Sequence, residues 1–181
     1  MIKKELLSGK SIDIILSRLT CELIENHGDF KDTVLIGLQP RGVLVLDKLL
    51  AKLADNGISD VNHGRLDITF YRDDFRRRDI PLQPNQTKID VILEGKKVVF
   101  VDDVLYTGRS VRSALDAIHS FGRPSEIELL VLIDRRFSRE LPIQPDYTGK
   151  QVDSLASQKV AVEWKEESEK DVVYLIKPKD E

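Results

Sequence analysis

Apolar residues Ile12, Ile15, Leu16, Leu19, Leu23 and Ile24 recur at the spacing of one helical face, and Asn26-His27-Gly28 follows as a stop. An amphipathic helix over residues 11 to 26 is predicted. The next apolar stretch, Thr33 to Leu38, is short, lacks a helical period and ends at Gln39-Pro40, which predicts a buried strand. Leu44, Leu46, Leu49, Leu50 and Leu53 return to helical spacing before Asp55-Asn56-Gly57, and Leu66 to Tyr71 alternates apolar with polar positions like a strand. No period survives from residue 72 to 90. That segment carries Arg72, Arg76, Arg77 and Arg78 with Pro81 and Pro84, and reads as a flexible or extended loop.

Periodicity resumes with an apolar strand at Lys97 to Val101, a helix marked by Val111, Ala114, Leu115 and Ile118, and a stop at Gly122-Arg123-Pro124. Glu128 to Ile133 has strand character, Val160 to Val162 and Val172 to Ile176 are candidate late strands, and residues 177–181 form a charged tail expected to fray. Strands alternating with helices predict the α/β class: a mainly parallel central sheet flanked by helices on both faces, in a single domain over residues 1–181.

Composition narrows the chemistry more than the fold. Hydrophobic residues make up 41% of the 181 positions and charged residues 33%, which describes an ordinary globular chain. There is no apolar run of about 18 residues, and Met1-Ile2-Lys3-Lys4-Glu5 does not lead into an apolar signal core, so no membrane association and a cytoplasmic location are expected. The single cysteine, Cys21, excludes an internal disulfide and is expected to pack as a small hydrophobe in or beside the first helix. Three histidines and one cysteine give no zinc spacing, so any metal should be held by oxygens. A net charge of -3 gives no global footprint for nucleic acid, and only a local basic patch could serve such a partner.

The segment richest in chemistry runs from Val98 to Ser110, where an apolar strand meets two carboxylates, a small-residue turn and a helix. In doubly wound sheets ligands sit beyond the carboxyl ends of the strands, which places Asp102 and Asp103 at the expected cleft. Two adjacent carboxylates repel each other unless hydroxyl donors or a cation relieve them, and vicinal sugar hydroxyls are suitable donors. Thr107, Gly108, Arg109 and Ser110 open the following helix, whose free amides and dipole favour an anion such as phosphate. Taken alone, the same residues also fit a plain turn with Ser110 as helix cap.

The whole string resembles the phosphoribosyl pyrophosphate signature of type I phosphoribosyltransferases. Its Val104-Leu105-Tyr106-Thr107-Gly108-Arg109 form is similar to the subfamily of bifunctional pyrimidine operon attenuation regulators and uracil phosphoribosyltransferases. Three more segments match in family order: Gly37 to Gly42, Ile68 to Asp74, and Arg139 to Ile143 with Asp146 to Lys150. The resemblance implies a small hood beside the central sheet, a flexible catalytic loop, and transfer of a phosphoribosyl group from phosphoribosyl pyrophosphate to uracil, giving UMP and pyrophosphate. It implies Asp102, Asp103 and Arg72 as catalytic residues, and Leu105, Tyr106, Thr107, Gly108, Arg109 and Ser110 as the 5-phosphate loop. Pro40, Arg41 and Gly42 would meet pyrophosphate, Ile133, Asp134 and Arg135 the base, and Asp102 and Asp103 a magnesium ion, directly or through water.

At one point the sequence departs from the subfamily. Where the pattern reads Asp-Arg-Gly shortly before Arg-Glu-Leu-Pro, this chain reads Asp134-Arg135-Arg136-Phe137-Ser138-Arg139-Glu140, losing the glycine and gaining a residue. The regulatory half of the family's function implies binding of pyrimidine leader messenger RNA, for which Arg18, Arg139 and Lys150 are the candidates. Cys21 and Gln144 stand where the resemblance suggests cations. A purine-directed enzyme of the same fold, or a UMP-sensing regulator with weak catalysis, are the alternatives, and a homodimer or larger assembly is the implied state.

Overall fold

Thr33 to Leu38 is apolar almost throughout because its strand is covered on both faces. The computed structural model describes residues 1–71 and 86–178. In it β2 (Thr33–Leu38) is buried along its full length, inside a five-stranded sheet ordered β3-β2-β4-β5-β6. The other members are β3 (Asn62–Leu66), β4 (Lys97–Leu105), β5 (Glu126–Arg136) and β6 (Tyr147–Asp153), and every neighbouring pair is parallel.

Side chains alternate across each strand, so each feeds two cores. Helices α1 (Gly9–His27) and α2 (Gly42–Asp55) cover one face, where Leu16, Leu19, Leu23, Leu46 and Leu49 meet Val99, Val101, Leu130 and Leu132. Helix α3 (Arg109–Ile118) covers the other, where Val111, Ala114 and Ile118 meet Val98, Phe100, Leu129 and Val131. A separate antiparallel sheet ordered β1-β8-β7 is built from β1 (Ile2–Ser8), β7 (Lys159–Glu163) and β8 (Val172–Lys177). This is the hood. It is braced on α2 by Lys48, whose Nζ pairs with Glu166 and Asp171 and lies 5.1 Å from the Trp164 ring centroid.

The structure corrects several sequence expectations. The strand expected at Leu66 to Tyr71 lies earlier, at Asn62–Leu66, and Thr69–Tyr71 is a short 3-10 turn. Asp67 ends the strand, because its Oδ1 accepts hydrogen bonds from both the amide and the hydroxyl of Thr69. β3 occupies a sheet edge, so its polar residues can face out, and the apolar Leu66 and Ile68 beyond its core part suggested a strand too late. β4 continues through both carboxylates to Leu105, so Asp102 and Asp103 belong to the strand and do not follow it. β1 and β6 escaped the pattern, since both are edge strands rich in exposed polar residues.

Cys21 is exposed, and the buried place beside it on α1 is taken by Thr20, whose hydroxyl donates to the Leu16 carbonyl. Of the loop expected at 72–90, residues 72–85 lie outside the described residues, and Lys88 is held in a backbone bridge to Arg65. The tail from 179 also lies outside them.

Candidate active site

The cleft is built where α2 presses on β4. A Cβ on Gly42 would stand 2.2 Å from the Val101 carbonyl oxygen and 3.0 Å from the Asp102 Cα, so only glycine allows that approach. The contact brings Arg41 beside the acids. Its Nε donates to Asp103 Oδ2 at 2.8 Å, its Nη1 to Glu167 Oε2 at 3.1 Å, and its Nη2 to the Val162 carbonyl. One arginine thus joins a central-sheet carboxylate to the hood. Pro40 precedes it in a cis peptide after Gln39.

The two acids differ. Asp103 is buried and paired with Arg41. Asp102 accepts the Asp103 amide at 2.8 Å, and no cation pairs with it among the described residues. Burial first, and the Asp103 charge second, push the Asp102 carboxyl well above the usual carboxylate range. A site in that condition is suited to a ligand that brings hydroxyl donors or a cation. The donor set fits magnesium, which prefers oxygen, although two carboxylates would leave most of its shell to phosphate and water.

Beyond Leu105 the chain turns through Tyr106, Thr107 and Gly108 into α3. Gly108 has φ +92°, and Leu141 and Ile143 approach the position of its missing Cβ within 3.3–3.5 Å. Thr107 Oγ1 accepts from the Arg109 amide at 3.4 Å, and Arg109 Nε meets Glu140 Oε2 at 2.6 Å. Leu105 at the end of β4, the turn Tyr106, Thr107 and Gly108, and Arg109 and Ser110 at the start of α3 therefore form one continuous segment adjoining both acids.

Parallel pairing of Leu105 with Asp134 sets the end of β5 beside that turn. Ile133 is buried, the Asp134 carboxylate accepts from Arg139 Nη2, and Arg136 makes a two-toothed pair with Asp153 at 2.6 and 2.8 Å. Arg135 donates to Ser154 Oγ, the Leu155 carbonyl and the Gln158 carbonyl, and its guanidinium lies 3.9 Å from the Tyr106 ring centroid. Burial draws its pKa below the usual arginine value. Phe137, at the departure from the subfamily pattern, has φ +65° and is exposed.

The expected residues fall into groups. Asp102, Asp103, Arg41, Gly42, the turn 105–110 and Ile133 to Arg135 gather at the carboxyl end of the sheet. Arg72, with Arg76 to Arg78, lies outside the described residues, although the carbonyl of the preceding Tyr71 accepts from Ser113 Oγ of α3 at 3.1 Å. Arg18 lies elsewhere, against β6, where its Nη2 donates to the carbonyls of Thr148 and Gly149, and Lys150 is the next residue of that strand. Arg139 is apart from them, at the turn. Sequence reading missed Glu167 and the stacking of Arg135 on Tyr106, since neither has a local signal and only the strand register makes the second pair neighbours.

The Phosphoribosyl transferase domain family matches residues 3–167. The chain is similar to the "Bifunctional protein PyrR" of Chloroflexus aurantiacus, 42% identical over 97% of this chain and 96% of the relative. It is likewise similar to that of Enterococcus faecalis, 40% identical over 98% of both, and of Gloeothece citriformis, 45% identical over 96% and 97%. Among solved structures, the hypoxanthine phosphoribosyltransferase of Trypanosoma cruzi has the same fold, with TM-score 0.73 and 16% identity over 97% of each chain. No helix among the described residues is long and apolar enough to cross a membrane.

Proposed function

The chain belongs to the phosphoribosyl transferase domain family and to its bifunctional PyrR group, and from that premise we propose that it converts uracil and phosphoribosyl pyrophosphate to UMP and pyrophosphate. The supporting observation is Asp102, without a cation partner among the described residues, next to the Arg41-paired Asp103 at the end of β4, beside a turn of backbone amides that opens α3. Their carboxylates accept hydrogen bonds from the ribose hydroxyls, and the amides of residues 105–110 hold the 5-phosphate. Arg41, which keeps N–H groups beyond those it now uses, meets the pyrophosphate with Arg72.

Glycosyl transfer of this kind develops positive charge at the anomeric carbon, so a site that fixes the sugar and neutralises the departing anion lowers the barrier. Asp102 and Asp103 would hold magnesium, directly or through water, and the ion would supply positive charge to that anion. Ile133 to Arg135 line the base.

The deciding experiment follows UMP and pyrophosphate formation from uracil, phosphoribosyl pyrophosphate and magnesium. Faster turnover of hypoxanthine or guanine would overturn the uracil assignment. A second reading, binding of pyrimidine leader messenger RNA, draws on Arg18, which lies against the strand that carries Lys150, and on the resemblance to the bifunctional PyrR group. Retention of such a transcript should then be salt-sensitive and depend on UMP, since phosphate contacts dominate such affinity.

A further inference from the structure

Residues 134 to 143 form a strap across the turn that joins β4 to α3, touching it at Arg135, Arg139, Glu140, Leu141 and Ile143. The Arg135 guanidinium stacks on the Tyr106 ring, Arg139 Nη1 donates to the Tyr106 carbonyl at 2.6 Å, and the Glu140 amide donates to the Thr107 carbonyl at 3.0 Å. Leu141 and Ile143 close on Gly108, and Glu140 pairs with Arg109. Arg139 is itself fixed by the buried Asp134 carboxylate, at the strand end that lies beside the base segment.

Two of these contacts act on backbone carbonyls, which decides where the following amides point. In a planar trans peptide the C=O of one residue and the N–H of the next face opposite ways, and no peptide in this turn is cis. Drawing the Tyr106 and Thr107 carbonyls toward the strap therefore turns the Thr107 and Gly108 amides away from it. Neither amide donates to another backbone group among the described residues. A turn with two like-directed free amides is an anion cradle, but an isolated turn of this kind would spread over several peptide orientations.

We propose that Arg139, anchored by Asp134, is a positioning residue for the 5-phosphate site: its fork joins the buried acid to the Tyr106 carbonyl and so presets the phosphate-binding amides. The inference rests on the phosphoribosyl reading above and assigns Arg139 to ligand binding, where sequence alone offered it as an RNA contact. It also links the base segment to the phosphate turn through one side chain. Lysine reproduces this link only in part, since its ammonium lacks the rigid planar fork that fixes both acceptors at once.

Arg139→Ala, Arg139→Lys and Asp134→Asn test the assignment by calorimetry with ribose 5-phosphate and with magnesium pyrophosphate, alongside steady-state kinetics. The Ala variant should bind ribose 5-phosphate about tenfold more weakly, near 1.4 kcal/mol, and raise the KM for phosphoribosyl pyrophosphate similarly. Pyrophosphate affinity should stay within about twofold, on the view that its contacts lie at Arg41. The Lys and Asn variants should fall between the wild type and Ala. Equal loss of both ligands in the Lys variant would mark a merely structural role and overturn the assignment. So would unchanged ribose 5-phosphate affinity in Arg139→Ala when the wild type turns substrate over. A wild-type protein that neither binds ribose 5-phosphate nor turns over would sink the phosphoribosyl reading itself, and the positioning role with it.

Discussion

The two ends of the central sheet each carry a cluster of buried polar groups, and they are resolved in opposite ways. At the amino ends of the strands, His27 Nε2 meets Glu128 Oε2 at 3.0 Å and its Nδ1 meets Thr33 Oγ1 at 3.0 Å. Tyr147 donates its hydroxyl to the same Glu128 oxygen at 2.8 Å and accepts from Asn26 at 3.0 Å. Burial, together with the Glu128 carboxylate, pushes the Tyr147 phenol above its ordinary pKa, so it stays a neutral donor. Each group there satisfies another. At the carboxyl ends, Asp102 lies next to Asp103 with no donor among the described residues beyond one backbone amide. A closed network ties α1 to β5 and β6, whereas an open one marks a candidate binding site.

Removing charge at the open end should have the largest effect. Asp102→Asn with Asp103→Asn keeps side-chain size while replacing two carboxylate acceptors, and should lower kcat/KM by roughly 1,000-fold or more. The circular dichroism spectrum should be unchanged. Turnover within a few-fold of the wild type would remove the acids from the mechanism. Glu128→Ala breaks the closed end instead: it leaves His27 and Tyr147 without their common acceptor and should destabilise the fold by about 2–3 kcal/mol. Thermal melting should fall by several degrees while the folded fraction keeps the KM for phosphoribosyl pyrophosphate. A KM change without a melting change would mean that the two ends are not separable in this way.

The same contrast explains what the sequence discloses. The open site was legible because its acids, turn and helix start are contiguous in Val98 to Ser110, and because chemistry left unsatisfied is written in local residue types. The closed network draws Asn26, His27, Thr33, Glu128 and Tyr147 from four segments and leaves no local mark. β2 and α1 were legible for a related reason, since each buries a periodic face. β3 was misplaced because an edge strand tolerates Asn62, His63 and Arg65, and its end depends on hydrogen bonds from Thr69 to the Asp67 carboxylate. The contacts of Arg139 left no sequence signal because its partners, Asp134 and the Tyr106 carbonyl, become neighbours only through the register of β4 with β5.

The smallest effect is the most discriminating, because it asks whether Asp102 is kept at a cost to the ligand-free protein. A carboxyl whose folded pKa is raised contributes its stability below the unfolded value, near pH 4, and that contribution is lost as pH rises through the folded value. At neutral pH the Asp102 carboxyl therefore works against the fold. Asp102→Asn removes the ionisation, so the variant should melt somewhat higher than the wild type at pH 7 and about equally at pH 4. Added phosphoribosyl pyrophosphate with magnesium should reverse the order, because a ligand stabilises only the protein that binds it. Wild-type and variant melting curves that ran parallel from pH 4 to 8 would mean that Asp102 is already relieved without ligand, and the difference between the two ends of the sheet would lose its basis.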